Sequence, residues 1–187
     1  MTVTVETPEG LKTGYAVREV HQYTDIKIGD AGGGMAGAIG EAVVVDLGQR
    51  GKLFMTIGED HYFIFEAFPL GGGENTPRGI KYYSHLKNAK ASLLDLKTVP
   101  QLVTFTDVNN PLTVKAVELH NLAASFGEGV KLQDITVETT DEPMTTGIIE
   151  ATLPWLKNIK SNIDGSNITT GSSYANTLHV GYFKRGH

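Results

Sequence analysis

The sequence predicts a mainly β protein, an antiparallel sandwich or barrel-like sheet with one amphipathic helix over about residues 85–97 and a short helix over about 119–126. Three observations carry that expectation. Residues 40–58, GEAVVVDLGQRGKLFMTIG, hold two apolar runs around a polar turn. The runs are too short for ordinary helices, rich in β-branched and aromatic residues and bounded by glycines, so they predict a hairpin buried on both faces. Val3 and Val5 alternate with threonines, the pattern of a strand with one solvated face. Finally, 22 glycines against 7 prolines point to many tight turns, because glycine reaches φ > 0 at little steric cost.

In chain order, Val3 and Val5 start a half-solvated hairpin whose return strand carries Leu11, Tyr15 and Val17 on one face. Pro8 presets the turn and Gly10 supplies its left-handed residue. Residues 29–40, GDAGGGMAGAIG, are expected to be an inter-strand loop. Gly32, Gly34 and Gly37 have the spacing of a dinucleotide loop, but the helix that must follow to hold a pyrophosphate is missing where Gly40 opens a strand. After the central hairpin, residues 59–70 fit two periods. Phe63, Phe65 and Ala67 alternate, while Ile64, Phe65 and Phe68 share a helical face; a strand is the expectation. Gly71 to Gly79 reads as an exposed loop. Ser84 then caps a helix with Leu86, Ala89, Leu93 and Leu96 along one face.

A second β section begins after Pro100. Residues 101–106 and 113–118 flank an Asx turn at Asp107, Asn109 and Asn110, whose side chains bond to nearby amides. The short helix from Leu119 to Phe126 ends at Gly127. Between Val130 and Thr139 the apolar phase changes, Val130 and Leu132 having one parity and Ile135 and Val137 the other. A bulge near Gln133-Asp134 accounts for that. At 187 residues the chain is expected to form a single domain, with a polar loop over about 157–173.

Composition narrows the function classes. There are no cysteines, which excludes disulfides and thiol chemistry. Formal net charge is −5, with 6 Lys/Arg against 11 Asp/Glu in residues 1–80 and 10 against 10 in the remainder. An acidic chain without a basic stripe lacks the footprint that neutralises phosphates, so no nucleic-acid partner is expected. No run approaches the ~18 apolar residues of a spanning helix, so the chain as given is not expected to insert in a membrane.

Chemistry-bearing motifs are few, and neither a cofactor nor a metal site is expected. Ser84-His85 could be a nucleophile and base, but no G-x-S-x-G elbow is present and adjacent side chains rarely face each other. His61 with Glu66 is too sparse for a metal site. Asp141 and Glu142, in TTDEPMTTG, are carboxylates of a solvated loop. Asn162, Asp164, Gly165 and Ser166 partly imitate a calcium loop, which Lys160 and Gly171 spoil at its first and twelfth positions. Trp155, the only tryptophan, is expected in the core. The histidines, His21, His61, His85, His120, His179 and His187, are scattered singly.

TPEG with Thr13-Gly14, GEAVVVDLG, LVTF with Asp107, Asn109 and Pro111, LAASFGEGV, ITVE, and TTGI followed by LPWL together resemble an uncharacterised group of bacterial, mainly proteobacterial, proteins. The resemblance runs from about residue 3 to Leu156. It implies no activity, cofactor or catalytic residue. Members often carry a membrane-spanning or lipoprotein-like leader just before the stretch equivalent to Thr2 to Gly10, where this chain starts. The resemblance therefore implies a periplasmic or envelope location, with the cytoplasm as the alternative.

The functional expectation is a non-enzymatic β module that binds another protein or an envelope component. One rival is a hydrolase or carbohydrate-active enzyme with Asp60, Glu66, Asp141 and Glu142 converging across the sheet, as paired carboxylates in a cleft would. Another is a structural subunit of an oligomer. Because the hairpin is the expected centre of the fold, Val44→Asp is expected to abolish folding.

Overall fold

The structure, a computed structural model, describes residues 1–24, 34–58, 60–93 and 101–186, with side chains throughout except at 23, 24, 34–36, 60 and 61. In chain order the elements are β1 (Thr2–Thr7), β2 (Gly10–Tyr15), β3 (Glu19–Thr24), β4 (Gly34–Glu41), β5 (Val43–Asp46), β6 (Lys52–Met55), α1 (Asp60–Ala67) and α2 (Pro77–Ser84). There follow β7 (Lys90–Ser92), β8 (Leu102–Phe105), β9 (Val114–Val117), α3 (Ala123–Phe126), β10 (Lys131–Glu138), α4 (Ile148–Thr152), α5 (Tyr174–Thr177) and β11 (Lys184–Arg185). Among the described residues the strands make three antiparallel sheets, ordered β2-β1-β10-β7, β11-β4-β3 and β5-β6-β8-β9, and none closes into a barrel. The mainly β, sandwich-like class read from the sequence is the class observed.

The central hairpin forms as its pattern requires. Val43 pairs with Met55 and Val45 with Leu53, and a 3-10 turn at Gly48–Arg50 joins the strands. Alternation then sends neighbours into different cores. Val43, Val45, Leu53 and Met55 pack with Val3, Val5, Ile135 and Val137 of the first sheet, and Phe63, Leu122 and Phe126 lie in the same cluster. Phe54, Val103 and Phe105 face the other way, onto Ile149, Leu153, Trp155, Ile163 and Phe183. The hairpin sheet thus has a core on each face, which is why its strands are apolar at consecutive positions. Val44 is only partly buried against the second core, whereas Val43 and Val45 are fully buried.

The N-terminal hairpin has the predicted turn, with Gly10 at φ 110°, but its return strand faces otherwise than expected. Val3 pairs with Gly14 and Val5 with Lys12, so Gly14 lies on the buried side while Leu11 and Tyr15 project to solvent at 64% and 61% exposure. The bulge in β10 is present. Thr4 pairs with Asp134 and Val5 with Leu132, which leaves Gln133 as the extra residue.

Three element expectations are corrected. Residues 60–67 form α1, not a strand: Phe63 is buried and Ile64, Ala67 and Phe68 pack beside it, a spacing of three and four that only a helix puts on one face. The amphipathic helix lies at 77–84 rather than 85–97. Thr76 Oγ1 accepts from the Gly79 amide and Pro77 occupies the first turn, which is a start signal that outranks Ser84. Ser84 ends the helix, Asn88 takes a left-handed φ of 53°, and Lys90–Ser92 pairs with β10; residues 94–97 of the expected helix lie outside the described residues. Lastly, Gly34 to Gly40 is strand, paired with β3 from Thr24↔Gly34 to Glu19↔Ile39. A backbone ladder needs no side chains, so the small residues that read as a loop can pair. The short helix before Gly127 is Ala123–Phe126, within the expected span, and Gly127 follows at φ 94°.

Candidate functional site

Among the described residues a groove of about 750 Å³ lies between β3, the helices α1 and α2, and the stretch 137–144. Two chain segments form its walls. Val17 to Gln22 line one side and Val137 to Met144 the other, with Ile64, Phe65, Ile80, Tyr83 and Leu86 contributing the apolar part. Successive residues of a strand point to opposite faces. A cavity lined by every residue from Val17 to Gln22 therefore meets this segment along its edge. β3 is hydrogen-bonded to β4 on one side and lies at the end of its sheet among the described residues.

The walls converge at one end. The Val17 amide donates to Thr145 Oγ1 at 2.9 Å, and the Thr145 amide donates to the Val17 carbonyl at 3.0 Å. Farther along, Gln22 Nε2 donates to the Glu74 carbonyl ahead of α2, which ties β3 to the helical wall. Tyr83 OH donates to the Phe68 carbonyl at 3.2 Å, joining α2 to the end of α1. Burial, with Glu74 and Tyr82 nearby, pushes the Tyr83 phenol up to about 12, so it stays protonated. Its ring lies 4.9 Å from Phe65, and Tyr62 and Tyr82 extend the contact on either side into a strip of four rings.

The groove is acidic. Glu19, Glu138, Asp141 and Glu142 line it against Arg18 and His21. Glu19 lies 3.7 Å from His21 Nδ1, and Glu138 lies 3.6 Å from Lys90 Nζ. The Asp141 and Glu142 carboxylates meet no cation among the described residues. Arg18 Nε donates to the Glu41 carbonyl at 2.8 Å and its Nη2 to the Met55 carbonyl at 3.1 Å.

The predicted catalytic and metal candidates fare differently. Of the four acids expected to converge, Asp141 and Glu142 line the groove, Glu66 does not, and the Asp60 side chain lies outside the described residues, as does that of His61. Ser84 and His85 do meet, with Oγ and Nδ1 3.1 Å apart, contrary to the expectation for neighbours. However, Nδ1 is also 2.7 Å from the Lys81 carbonyl oxygen, which can only accept, so Nδ1 carries the proton and has no lone pair for the serine. Ser84 Oγ donates to the same carbonyl at 3.0 Å. The pair closes the end of α2. Among the described residues no group of three or more His, Asp or Glu side chains could hold a metal ion.

The remaining candidates are structural. Trp155 is 8% exposed, donates its indole N–H to the Val108 carbonyl, and packs against Phe105 and Phe183. In the loop that resembles a calcium site, Asn176 stands where a cation would. Its Oδ1 accepts from the Thr170 and Gly171 amides, and its Nδ2 donates to Asp164, Ser166 Oγ and the Ile168 carbonyl. Ser166 and Asn176 hold the Asp164 carboxyl below its usual range. Gly34 and Gly37 of the dinucleotide-like spacing lie in β4, and Gly32 lies outside the described residues.

Sequence reasoning passed over Glu41. It is 2% exposed and accepts from the Gly147, Ile148 and Ile149 amides at 2.5, 3.0 and 3.2 Å, which anchors the start of α4. A charge inside an apolar run was the available signal. The aromatic strip and the β3 edge had none, since both depend on tertiary placement.

Fold and groove together define a mainly β protein with an open, edge-lined cleft. Among the described residues no helix is long and apolar enough to cross a membrane. Comparison with protein-family models, curated proteins and solved structures finds no match for this chain.

Proposed function

We propose that this chain is a non-enzymatic β module that binds another protein, receiving an extended segment of it in the groove beside β3. The observation that supports the reading is a cavity of about 750 Å³ bounded by the edge of one strand and the chain from Val137 to Met144. Such an edge accepts a further strand through main-chain hydrogen bonds, while flanking pockets select its side chains. Val20, 37% exposed on that edge, provides apolar contact. An envelope component as the target, and a periplasmic or envelope location, draw their support from the sequence resemblance over residues 3–156.

Photo-cross-linking from groove positions tests the reading. A benzophenone side chain at Val20 or Leu86 is expected to give a discrete adduct with one protein in extracts of the source cells, and a probe at Ile168, 71% exposed and outside the groove, none. Equal adducts from all three positions would refute the groove. So would hydrolytic turnover that disappears with Asp141→Asn, because it would restore the enzymatic alternative.

A structural subunit is the second reading, favoured by Leu11 and Tyr15 on the outer face of β2. Sedimentation separates the two: a concentration-dependent oligomer lost with Tyr15→Ser supports the subunit, and a monomer throughout counts against it.

A further inference from the structure

We propose that the segment received by the groove is cationic, carrying Lys or Arg at alternate positions with apolar residues between them. The inference rests on the binding reading above and adds the partner's chemistry. Charge complementarity is its first support. Four carboxylates line the groove, and Asp141 and Glu142 are exposed on the 137–144 wall with no cation partner among the described residues. The guanidinium of Arg18 donates to the Glu41 and Met55 carbonyls. Complementary charge of this kind steers encounter and rejects like-charged partners.

The aromatic strip is the second support, and it is carried by α1 and α2. Phe65 and Tyr83 line the cavity, and Tyr62 and Tyr82, half and one-third exposed, continue beyond it. Ring faces attract Lys and Arg through the quadrupole of the π-system, so the strip adds to the preference for a cation that the carboxylates set. The β3 edge supplies the third element, because a strand added to it must be extended. Side chains two apart on an extended strand share a face; hence the alternation of charged and apolar positions.

Selection from a random peptide library tests this, with the intact chain as bait and the Asp141→Asn/Glu142→Gln variant as counter-bait. Both positions are exposed loop residues, and an unchanged melting temperature shows that the variant is folded. The expected winners carry Lys or Arg at alternate positions and lose about tenfold in affinity for the variant, or at raised salt. Neutral or acidic winners that bind the groove would overturn the cationic partner while leaving the binding module standing. No peptide winner, or binding of a β-linked N-acetylglucosamine oligomer over the aromatic strip instead, would overturn both.

Discussion

At the scale of single residues, the determining contacts are polar groups and glycines placed where another residue would fail. Glu41 receives three amides while almost fully buried. Hydrogen bonds to a charged acceptor contribute more than neutral ones, so Glu41→Gln, which also turns an N–H toward amide donors, should cost about 2 kcal/mol in urea unfolding. Gly14 is set by space: a Cβ there would lie 2.0 Å from the Val44 carbonyl oxygen. Because the obstacle is backbone, Gly14→Ala should destabilise by about 3 kcal/mol, the upper range for overpacking. Surface carboxylates add a pH dependence at the acid end. Arg50 holds Glu9 at about 2, from an ordinary 4.5, and Lys52 and Lys184 lower Asp46 and Glu150. A carboxyl with a depressed folded pKa stabilises the fold only while ionised. Its contribution is complete above about pH 4.5 and is lost as pH falls toward 2. Melting temperature followed through that window should fall, with a shallower decline in Glu9→Gln.

At the scale of elements, local signals compete, and the stronger ones are visible in the outcome. The bulge in β10 and the turn at Asp107–Asn110 were legible because each is set by its own residues: a change of apolar parity, and side chains that bond to nearby amides. The helix at 77–84 was legible in principle from Thr76-Pro77, but the leucine spacing that follows pointed to 85–97. Leu93 is buried for a different reason, its amide donating to the Ile135 carbonyl at the end of β7. α1 was ambiguous since Phe65 fits both periods, and burial of Phe63 with its helical neighbours decided it. The loop at 160–171 is ordered by one residue outside it. Asn176→Ala removes bonds to five partners, so limited proteolysis should nick that loop faster than in the wild type, while the β elements stay protected.

At the scale of the molecule, one sheet separates two cores. The consecutive apolar positions of residues 43–45 and 53–55 foretold burial on both faces, but not what covers each. The second cover is a set of short helices and turns from Ile149 to Phe183, whose periods are too brief to read. Val45 is fully buried in the first core, and it is a sharper position for a buried charge than half-buried Val44. Val45→Asp should abolish cooperative melting, by burying an unpaired carboxylate. The groove was not legible at all, because its walls come from residues more than a hundred positions apart. Its role is the central claim, and amide hydrogen exchange tests it most directly. With a library-selected peptide bound, the account predicts slowed exchange at those amides of residues 18–22 that point away from β4 and at amides between 139 and 144 other than Pro143, which has none, with little change at β2 or β9. Unchanged exchange along β3, with protection appearing at Leu11 to Tyr15 instead, would contradict it.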